Sequence, residues 1–358
     1  MSETSLSTSR GPILVTGGCG FIGCNLVDAL ARRGEKVRVL DALLRHGVKE
    51  NAQWLQARHR DRVEIEVADV RDRAAVDRSV EGAAAVLHLA GQVAVTTSLE
   101  DPIGDFEINA RGTLNVLEAV RLLNPSAPVL FASTNKVYGR LLRDDEAVIA
   151  DERYRPVPAA LADGVGEDAP LDLYSPYGCS KGAADQYVRD YSRVFGLRTA
   201  VLRMSCIYGP RQFGTEDQGW LAHFLIQAMR GAPITIYGDG CQVRDALHVS
   251  DAVAAWLAAL DHMEAASGRI FNLGGGMGNT LSLRELLRRI AAMRGESPLT
   301  VYSAWRPGDQ PWYVSDTRLL TDVLGWTPRI GLDEGLRSLS AWLEERFGHA
   351  AMAEGRSG

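Results

Sequence analysis

The stretch YGCSKGAADQY, which begins at Tyr177, places a phenol and an ammonium group one helical turn apart. The alanines in this stretch favour a helix, on which Tyr177, Lys181 and Ala184 would share one face. A tyrosine beside a lysine is a candidate acid–base pair, because a nearby cation favours the phenolate. The same spacing also arises by chance in ordinary helices. The surrounding elements must therefore distinguish a proton-transfer site from two unrelated side chains.

A glycine-rich turn near the start of the chain is the first such element. The segment VTGGCGFIG follows an apolar, strand-like run and opens a helix-period stretch. Glycines let the backbone approach a pyrophosphate, and a helix N-terminus supplies N–H donors and partial positive charge. The spacing GxxGxxG is one residue longer in its first gap than the GxGxxG fingerprint. The loop residues predicted to bind a dinucleotide are Gly17, Gly20, Phe21, Ile22 and Gly23.

Acidic residues at strand ends extend this predicted cofactor site. Asp41 ends the run VRVLD, roughly 20 residues past the loop, where an acid can bind both hydroxyls of the adenosine ribose. A carboxylate there repels a 2′-phosphate, so NAD is favoured, and Arg45 close by leaves NADP open. Asp69 and Val70 follow the third strand-like run and are candidates for contact with the adenine. An ordinary strand-end aspartate is an equally good interpretation of Asp69.

The elements that position these residues alternate between strand and helix. Strand-like runs include KVRVLD, VEIEVADV, AAVLHLAG and APVLFAST, and FEINARGTLNVLEAVRLL has the period of an amphipathic helix. Such alternation predicts an α/β fold with a Rossmann-type, doubly wound parallel sheet. From Gly209 onward, shorter strands and helices predict a smaller C-terminal α/β lobe that binds the substrate.

The predicted organisation has two main parts. Residues 11–182 would form the NAD-binding Rossmann domain, and residues 183–347 the remaining sheet strands and the substrate lobe. Residues 1–10 and 348–358 are predicted to be flexible tails. The segment from about 140 to 175 is rich in Asp, Pro and Ala and has little periodicity. It is expected to be either disordered or an active-site lid.

Composition narrows the classes of function. The net charge of -6 provides no basic footprint, which argues against nucleic acid or an anionic membrane surface as partner. A hydrophobic content of 46% predicts a folded globular protein, and no apolar run is long enough to predict a transmembrane helix. The five cysteines form no CxxC pair, so neither a disulfide framework nor a metal site is expected. A reducing, cytoplasmic location fits this cysteine usage.

The order of the motifs resembles that of the extended short-chain dehydrogenase/reductases, the nucleotide-sugar epimerase and dehydratase superfamily. The glycine loop, the acid after the second strand, HLAG, STNKVYG and YGCSK all occur in that order, from about residue 11 to residue 345. The resemblance implies NAD as cofactor, with Ala90 of HLAG in its site. It also implies Tyr177 as the proton-transfer residue and Lys181 as a ribose-binding residue that lowers the pKa of the tyrosine. Thr134 would hydrogen-bond the reacting sugar oxygen.

Residues after Thr134 separate the reaction types of this superfamily. Sugar 4,6-dehydratases place Asp-Glu there to eliminate water, whereas this chain has Asn135 and Lys136. The elimination machinery is missing, which argues against a dehydratase. The resemblance further implies that Arg244 in QVRDALHV and Arg306 in RPGDQ bind the diphosphate of a nucleotide sugar, as guanidinium groups do. Surface salt bridges are the alternative role for Arg306.

Other residues of the second lobe have open alternatives. Trp220 could stack on the nucleobase or serve as a core or lid tryptophan. Cys206 lies where many 4-epimerases of the superfamily have an asparagine that contacts the sugar nucleotide. The predicted substrate contacts are Thr134, Asn135, Cys206, Trp220, Arg244 and Arg306. His88 and His248 lie in apolar strand contexts and are expected to be core histidines.

The resemblance also suggests a reaction. STNKVYG, SPYGCSKGAADQY, YGPRQFGTEDQGW and QVRDALHVSD resemble segments of 2-epimerases that act on CDP-linked 3,6-dideoxyhexoses. The first hypothesis is an NAD-dependent isomerase of carbohydrate biosynthesis that inverts C2 by oxidation and re-reduction. The alternative is a 4-epimerase of UDP- or dTDP-hexoses. A reductase that releases its cofactor and a non-catalytic NAD-binding sensor are further hypotheses, and the intact Thr134, Tyr177 and Lys181 argue against the sensor. A homodimer or tetramer, joined through long helices around Asn115 and Gln186, is also implied.

Overall fold

The apolar runs of the sequence form strands, and the helix-period segments between them form helices. The computed structural model describes residues 11–306 and 308–354. The strands are β1 (Ile13–Thr16), β2 (Val37–Asp41), β3 (Val63–Val67), β4 (Ala85–His88), β5 (Val129–Thr134), β6 (Ala147–Ala150), β7 (Arg153–Pro156), β8 (Thr199–Met204), β9 (Cys206–Tyr208), β10 (Ile234–Tyr237), β11 (Val243–His248), β12 (Ile270–Leu273), β13 (Thr280–Ser282), β14 (Thr300–Ser303) and β15 (Trp312–Tyr313). The α-helices are α1 (Phe21–Arg32), α2 (Val48–Arg58), α3 (Arg73–Val80), α4 (Val95–Glu100), α5 (Pro102–Phe106), α6 (Gly112–Leu123), α7 (Ser175–Phe195), α8 (Trp220–Arg230), α9 (Val249–Asp261), α10 (Met263–Ala266), α11 (Leu283–Arg294), α12 (Arg318–Leu324) and α13 (Leu332–Glu354).

Seven parallel strands form the first sheet, in the order β3-β2-β1-β4-β5-β8-β12. Every residue of β1, β4 and β5 is buried, as expected for strands covered by helices on both faces. The direction of chain progression reverses between β1 and β4, which opens a crevice at the carboxyl ends of these strands. The predicted Rossmann-type, doubly wound sheet is confirmed.

β11 is the central strand of the smaller lobe. It pairs with β13 in antiparallel fashion and with β15 and β9 in parallel, while β10 and β14 form a separate parallel pair. Helices α8, α11 and α13 cover this lobe with apolar faces, and Leu225, Leu286 and Leu336 are fully buried there. Helix α7 runs without a break through residues 182 and 183, where the sequence analysis places a domain boundary. The two lobes therefore share continuous elements.

The excursion from 140 to 175 is ordered, which removes one of the two expectations for it, and the role of a lid stays a prediction. Strands β6 and β7 pair as an antiparallel hairpin. The Tyr154 N–H donates to the Cys241 carbonyl at 3.0 Å, and the Tyr154 hydroxyl donates to Asp239 at 2.7 Å. Farther along, Val165 forms a bridge with Ser315. None of the described residues in this excursion lines the cleft between the lobes. The hairpin of this segment therefore packs against the second lobe.

The ends of the chain bear on two further expectations. Residues 1–10 and 355–358 lie outside the described residues. The backbone of 348–354 continues helix α13, whereas the sequence analysis predicts a flexible tail from 348 onward. None of the helices in residues 11–306 and 308–354 combines the length and the apolar character that crossing a bilayer requires.

A buried ion pair fixes helix α7 to the first sheet. Arg203 on β8 and Asp185 on α7 are 2% and 0% exposed, and two N–H groups of the guanidinium reach the two carboxylate oxygens at 2.9 Å each. The Ser133 hydroxyl donates to the same carboxylate at 2.7 Å. Arg203 also donates to the Tyr138 hydroxyl at 3.0 Å. Because Tyr177 lies on the same helix, this network sets its position relative to β5.

Asp185→Asn should lower the free energy of unfolding by about 3–5 kcal/mol, because it leaves the Arg203 charge buried without its partner. Asp190→Asn on the same helix is the matched control. Asp190 pairs with Arg193 at 2.7 Å where both side chains are exposed, so its loss should cost about 0–1 kcal/mol. Urea denaturation measures both values. Equal losses in the two variants would show that the buried pair does not fix the helix.

Candidate active site

The glycine loop at the end of β1 packs closely against itself and against Ala90, which follows β4. Gly17 has a φ of +68°, and a side chain there would place its Cβ 2.7 Å from the backbone nitrogen of Ala90. A Cβ at Gly23 would collide with the carbonyl of Gly17. Helix α1 begins at Phe21, so its free N–H groups point to the crevice. Phe21 and Ile22 line the cleft between the lobes. These features fit the pyrophosphate of a dinucleotide.

Asp41 is held against this loop. Its carboxylate accepts the N–H groups of Cys19 and Leu43, both at 2.9 Å, and it is 9% exposed. Burial raises the pKa of Asp41, while the bonds from these N–H groups lower it. Loss of hydration lowers the pKa of Arg45, and the charges that oppose this shift are those of Tyr177 and Asp217. The two hydrogen bonds that fix its carboxylate at the end of β2 keep Asp41 as the ribose-binding candidate.

The other predicted cofactor contacts lie along the same crevice. The Asp69 carboxylate pairs with Arg71 at 2.8 Å, and this hydrogen bond lowers its pKa. Val70 is 4% exposed, and its carbonyl accepts a hydrogen bond from Asn115 at 3.0 Å. The Ala90 N–H donates to the Thr16 hydroxyl at 3.2 Å. Any contact between Asp69 and an adenine would therefore be made by a carboxylate that is already paired with Arg71.

The structure brings Thr134, Tyr177 and Lys181 together. Thr134 ends β5 and hydrogen-bonds the phenol of Tyr177, which lies in the first turns of α7. Tyr177 is 7% exposed. Burial raises its pKa to about 12, the Thr134 hydrogen bond opposes that shift, and the charge of Asp105 adds to it. The phenol of the structure is thus firmly protonated at neutral pH.

Lys181 lies one turn deeper and faces the sheet. Its Nζ donates to the Ala132 carbonyl at 2.5 Å and lies 4.2 Å from the centre of the Phe131 ring. Burial lowers the pKa of Lys181 to about 7, against the favourable charges of Asp185 and Asp105. Lys181 is not among the groups that shift the pKa of Tyr177 here. The lowering of the phenol pKa by this lysine stays a prediction.

A polar cluster beside the pair was missed by the sequence analysis. Asp105 is 2% exposed and accepts hydrogen bonds from Gln92 at 2.8 Å and from Asn109 at 3.1 Å. It also accepts the hydroxyl of Ser180, which adjoins Lys181 on α7. Its negative charge acts on both members of the pair. The available sequence signal was the pair of polar residues Asp105 and Asn109, four positions apart and therefore on one face of a helix.

One cleft of about 380 Å³ collects the predicted substrate contacts. The predicted residues that line it are Thr134, Asn135, Tyr177, Cys206, Trp220, Arg244 and Arg306. The indole N–H of Trp220 donates to the Cys206 sulfur at 3.4 Å, and burial raises the pKa of that thiol. Thr134 donates weakly to the Asn135 amide oxygen, at 3.4 Å. The proton-transfer candidates come from the first lobe, and the two predicted arginines come from the second.

The two arginines have different surroundings. Arg244 is 8% exposed and pairs with Asp309 at 2.6 Å. Arg306 lies 3.8 Å from the centre of the Tyr237 ring and donates to the Glu216 carbonyl at 3.0 Å. The sequence analysis missed Asp309 and Glu216, which line the same cleft. Both guanidinium groups are thus positioned to meet an anion that enters the cleft.

His88 and His248 are buried in the core, as expected. His88 is fully buried between the hydroxyls of Thr16 and Thr113, at 2.6 Å and 3.0 Å, and burial lowers its pKa to about 3. His248 accepts the Ser250 N–H at the start of α9, at 3.3 Å. Within the described part of the chain, His, Cys, Asp and Glu side chains form no group of three or more that could hold a metal ion. All five cysteines are free thiols.

Comparisons with known proteins agree with this geometry. Residues 13–274 match the model of the NAD dependent epimerase/dehydratase family. The chain is 40% identical over 337 residues to CDP-paratose 2-epimerase of Salmonella typhi, which covers 92% of this chain and 98% of that protein. It is 32% identical over 334 residues to a putative UDP-glucose 4-epimerase of Methanocaldococcus jannaschii, covering 93% and 98%.

A solved structure extends the agreement to the fold. The UDP-glucose 4-epimerase of Thermus thermophilus, determined in complex with NAD, superposes with a TM-score of 0.77 at 33% identity, covering 93% of this chain and 99% of that one. The glycine loop and Asp41 of this chain fit the same cofactor. The chain belongs to the NAD dependent epimerase/dehydratase family, whose members in the extended short-chain dehydrogenase/reductase superfamily include the nucleotide-sugar epimerases.

Proposed function

We propose that this NAD-dependent epimerase inverts C2 of a CDP-linked hexose, in a reaction of the CDP-paratose to CDP-tyvelose type. The observation that carries the proposal is the cleft itself, in which Thr134 and Tyr177 face a wall that contains Arg244 and Arg306. The relative at 40% identity, named CDP-paratose 2-epimerase, supports the choice of carbon and nucleobase. The route is transient oxidation to a keto sugar followed by re-reduction.

Each catalytic residue has a distinct task in this proposal. Tyr177 takes the proton of the sugar hydroxyl as the carbon is oxidised and returns it on reduction. Thr134 hydrogen-bonds the same oxygen and orients it. Lys181 supplies the positive charge that favours the phenolate once the site is filled. Bound NAD would accept the hydrogen of the carbon and return it.

The second lobe anchors the substrate. A nucleotide diphosphate carries negative charge that two guanidinium forks bind well. Arg244 would exchange its contact with Asp309 for a phosphate oxygen, and Arg306 would bind nearer the cleft mouth beside Glu216. Trp220 and Cys206 would contact the substrate as a joined pair. Anchoring at the diphosphate lets the keto sugar turn so that its other face meets the cofactor.

A 4-epimerase acting on a UDP- or dTDP-hexose is the second candidate. The same Thr134, Tyr177 and Lys181 would serve oxidation at C4, and the relative at 32% identity is named as a putative UDP-glucose 4-epimerase. Asn135 and Lys136 stand where dehydratases carry an acid and a base, so elimination of water is not part of the proposal. The intact catalytic residues leave the non-catalytic sensor without support.

The assembly and location are part of the proposal. Apolar side chains at the ends of α6 and α7 are exposed, among them Leu122, Leu123, Val194 and Phe195. Surfaces of this kind commonly mark protein interfaces, so we infer a homodimer or tetramer joined through these helices. The free thiols of all five cysteines favour a reducing, cytoplasmic location.

Isotope labelling tests the reaction. A CDP-hexose deuterated at C2 should give an epimer that keeps its deuterium at C2, and unlabelled substrate in D₂O should gain no carbon-bound deuterium. Hydrogen leaves and returns to the same carbon without exchange with water in this route. Mass spectrometry and NMR locate the label. Tyr177→Phe is the control, because it removes the proton-transfer residue. Its turnover should fall roughly 10²–10⁴-fold.

Three results would contradict the proposal. Exchange at C2 would indicate abstraction of the carbon-bound proton by a base. Label that enters C5 or C6 from D₂O would indicate a dehydratase. Inversion at C4 with C2 untouched would assign the chain to the second candidate.

Asp41→Ala should weaken NAD binding roughly 10- to 100-fold, the range for a lost charge-assisted hydrogen bond, and should narrow the preference for NAD over NADP. Asp61→Ala, at an exposed position, is the control. Cofactor content of the purified protein and titration with both dinucleotides measure the effect. If content and preference stay as in the parent, Asp41 does not bind the ribose.

A further inference from the structure

The cleft contains a lysine, Lys136, at the position where dehydratases of the superfamily carry the glutamate of their Asp-Glu pair. Lys136 lies in the 3₁₀ turn Asn135–Tyr138, directly after β5. Its backbone N–H donates to the Thr134 hydroxyl at 3.2 Å. Its side chain is 23% exposed and lines the cleft. Lys136 is thus fixed beside the proton-transfer residues while its ammonium reaches the basic wall.

The charges around this ammonium do not balance. Lys136 Nζ donates to the Gly308 carbonyl at 3.2 Å and lies 4.0 Å from a carboxylate oxygen of Asp309. The same oxygen is bound by Arg244 at 2.6 Å. One carboxylate therefore faces two cations, and an ammonium has three N–H groups to donate. Burial opposes the charge on Asp309, but Arg244 and Lys136 together lower its pKa.

An anion is the ligand that this arrangement lacks. A mostly buried cation with unused donors is stabilised by a negatively charged oxygen, and phosphate offers several. Arg306 is bound by Glu216 toward the cleft mouth, whereas Arg244 and Lys136 share Asp309 nearer to Thr134. The two phosphates of a nucleotide diphosphate would lie along this line. The phosphate attached to the sugar must be the inner one, because the sugar lies between it and Tyr177.

We propose that Lys136, beside Arg244, binds the sugar-side phosphate of the nucleotide sugar and so selects the carbon that reaches Tyr177. This assignment rests on the proposed epimerase function. C2 adjoins the anomeric carbon that bears the phosphate, whereas C4 lies across the ring from it. A phosphate anchor only two residues past Thr134 draws the sugar inward and presents C2 to the phenol. An anchor nearer the cleft mouth would leave room for C4.

The test compares nucleotide diphosphates with monophosphates on the NAD-containing protein. Calorimetry would measure the binding of CDP, CMP, UDP and UMP to the parent, Lys136→Gln, Lys136→Arg and Lys49→Gln. Glutamine keeps a donor for the Gly308 carbonyl but removes the charge. Lys49 is an exposed residue of α2, so its variant controls for the loss of a lysine elsewhere.

Lys136→Gln should lose roughly 10- to 100-fold in affinity for the diphosphates and little for the monophosphates, which lack the inner phosphate. Lys136→Arg should retain most of the preference for diphosphates, and Lys49→Gln should match the parent. NAD content unchanged in Lys136→Gln would show that the fold is kept.

Two outcomes would overturn the assignment. An unchanged ratio of CDP to CMP affinity in Lys136→Gln would mean that the lysine does not bind the inner phosphate, even if the KM of the sugar nucleotide rises. If the affinities for CDP and CMP both fall by the same factor, the ratio is again unchanged, and the loss reflects a general disturbance of the cleft. The binding ratio needs no turnover, so it is independent of the proposed reaction. A parent that inverts no C2 would overturn that reaction, and the phosphate contact would still be judged by the ratio.

Discussion

The proposed active site is built around an ammonium group that is buried against the sheet without an ion-pair partner among the described residues. Lys181 donates to the Ala132 carbonyl and faces the Phe131 ring, and burial lowers its pKa to about 7. The Asp185–Arg203 pair fixes α7, so the lysine cannot move outward to water with its helix. A cation held in this way responds strongly to any charge that enters the site. The phenol of Tyr177, one turn away, is the group whose proton that charge can control.

The residues proposed for proton transfer lie in the first lobe and the two arginines proposed to bind the diphosphate lie in the second, and the chain path joins the two lobes. Strand β8 of the first sheet is followed directly by β9, which pairs with β11 of the second lobe. Arg244 lies on β11, and Cys206 starts β9. A continuous backbone connection therefore links the sheet that carries Thr134 to the strand that carries Arg244. A rigid connection of this kind suits a reaction in which the diphosphate stays bound while the sugar turns.

Local patterns in the sequence were enough to predict the parallel sheet, the glycine loop and Asp41, because buried strands, tight turns and strand ends each impose a residue type. Contacts between distant segments were not predictable in this way. Lys136 and Gly308 are 172 residues apart, and their contact depends on how the lobes meet. The sequence of the excursion from 140 to 175 has little periodicity. Its position depends instead on contacts with the second lobe, such as the hydrogen bond between Tyr154 and Asp239. The orientation of Lys181 toward the sheet likewise follows from packing.

In the proposed mechanism Tyr177 transfers the proton, and the charge of Lys181 makes this possible when NAD is bound. The most direct test is the ultraviolet titration of the phenol, taken as the difference between the parent and Tyr177→Phe, with and without NAD. The account predicts a pKa of about 12 without NAD, and a value well below the ordinary ~10 of tyrosine with NAD bound. Lys181→Met should keep the higher value in both states. A phenol that still titrates near 12 in an NAD-bound parent that turns over substrate normally would contradict the account.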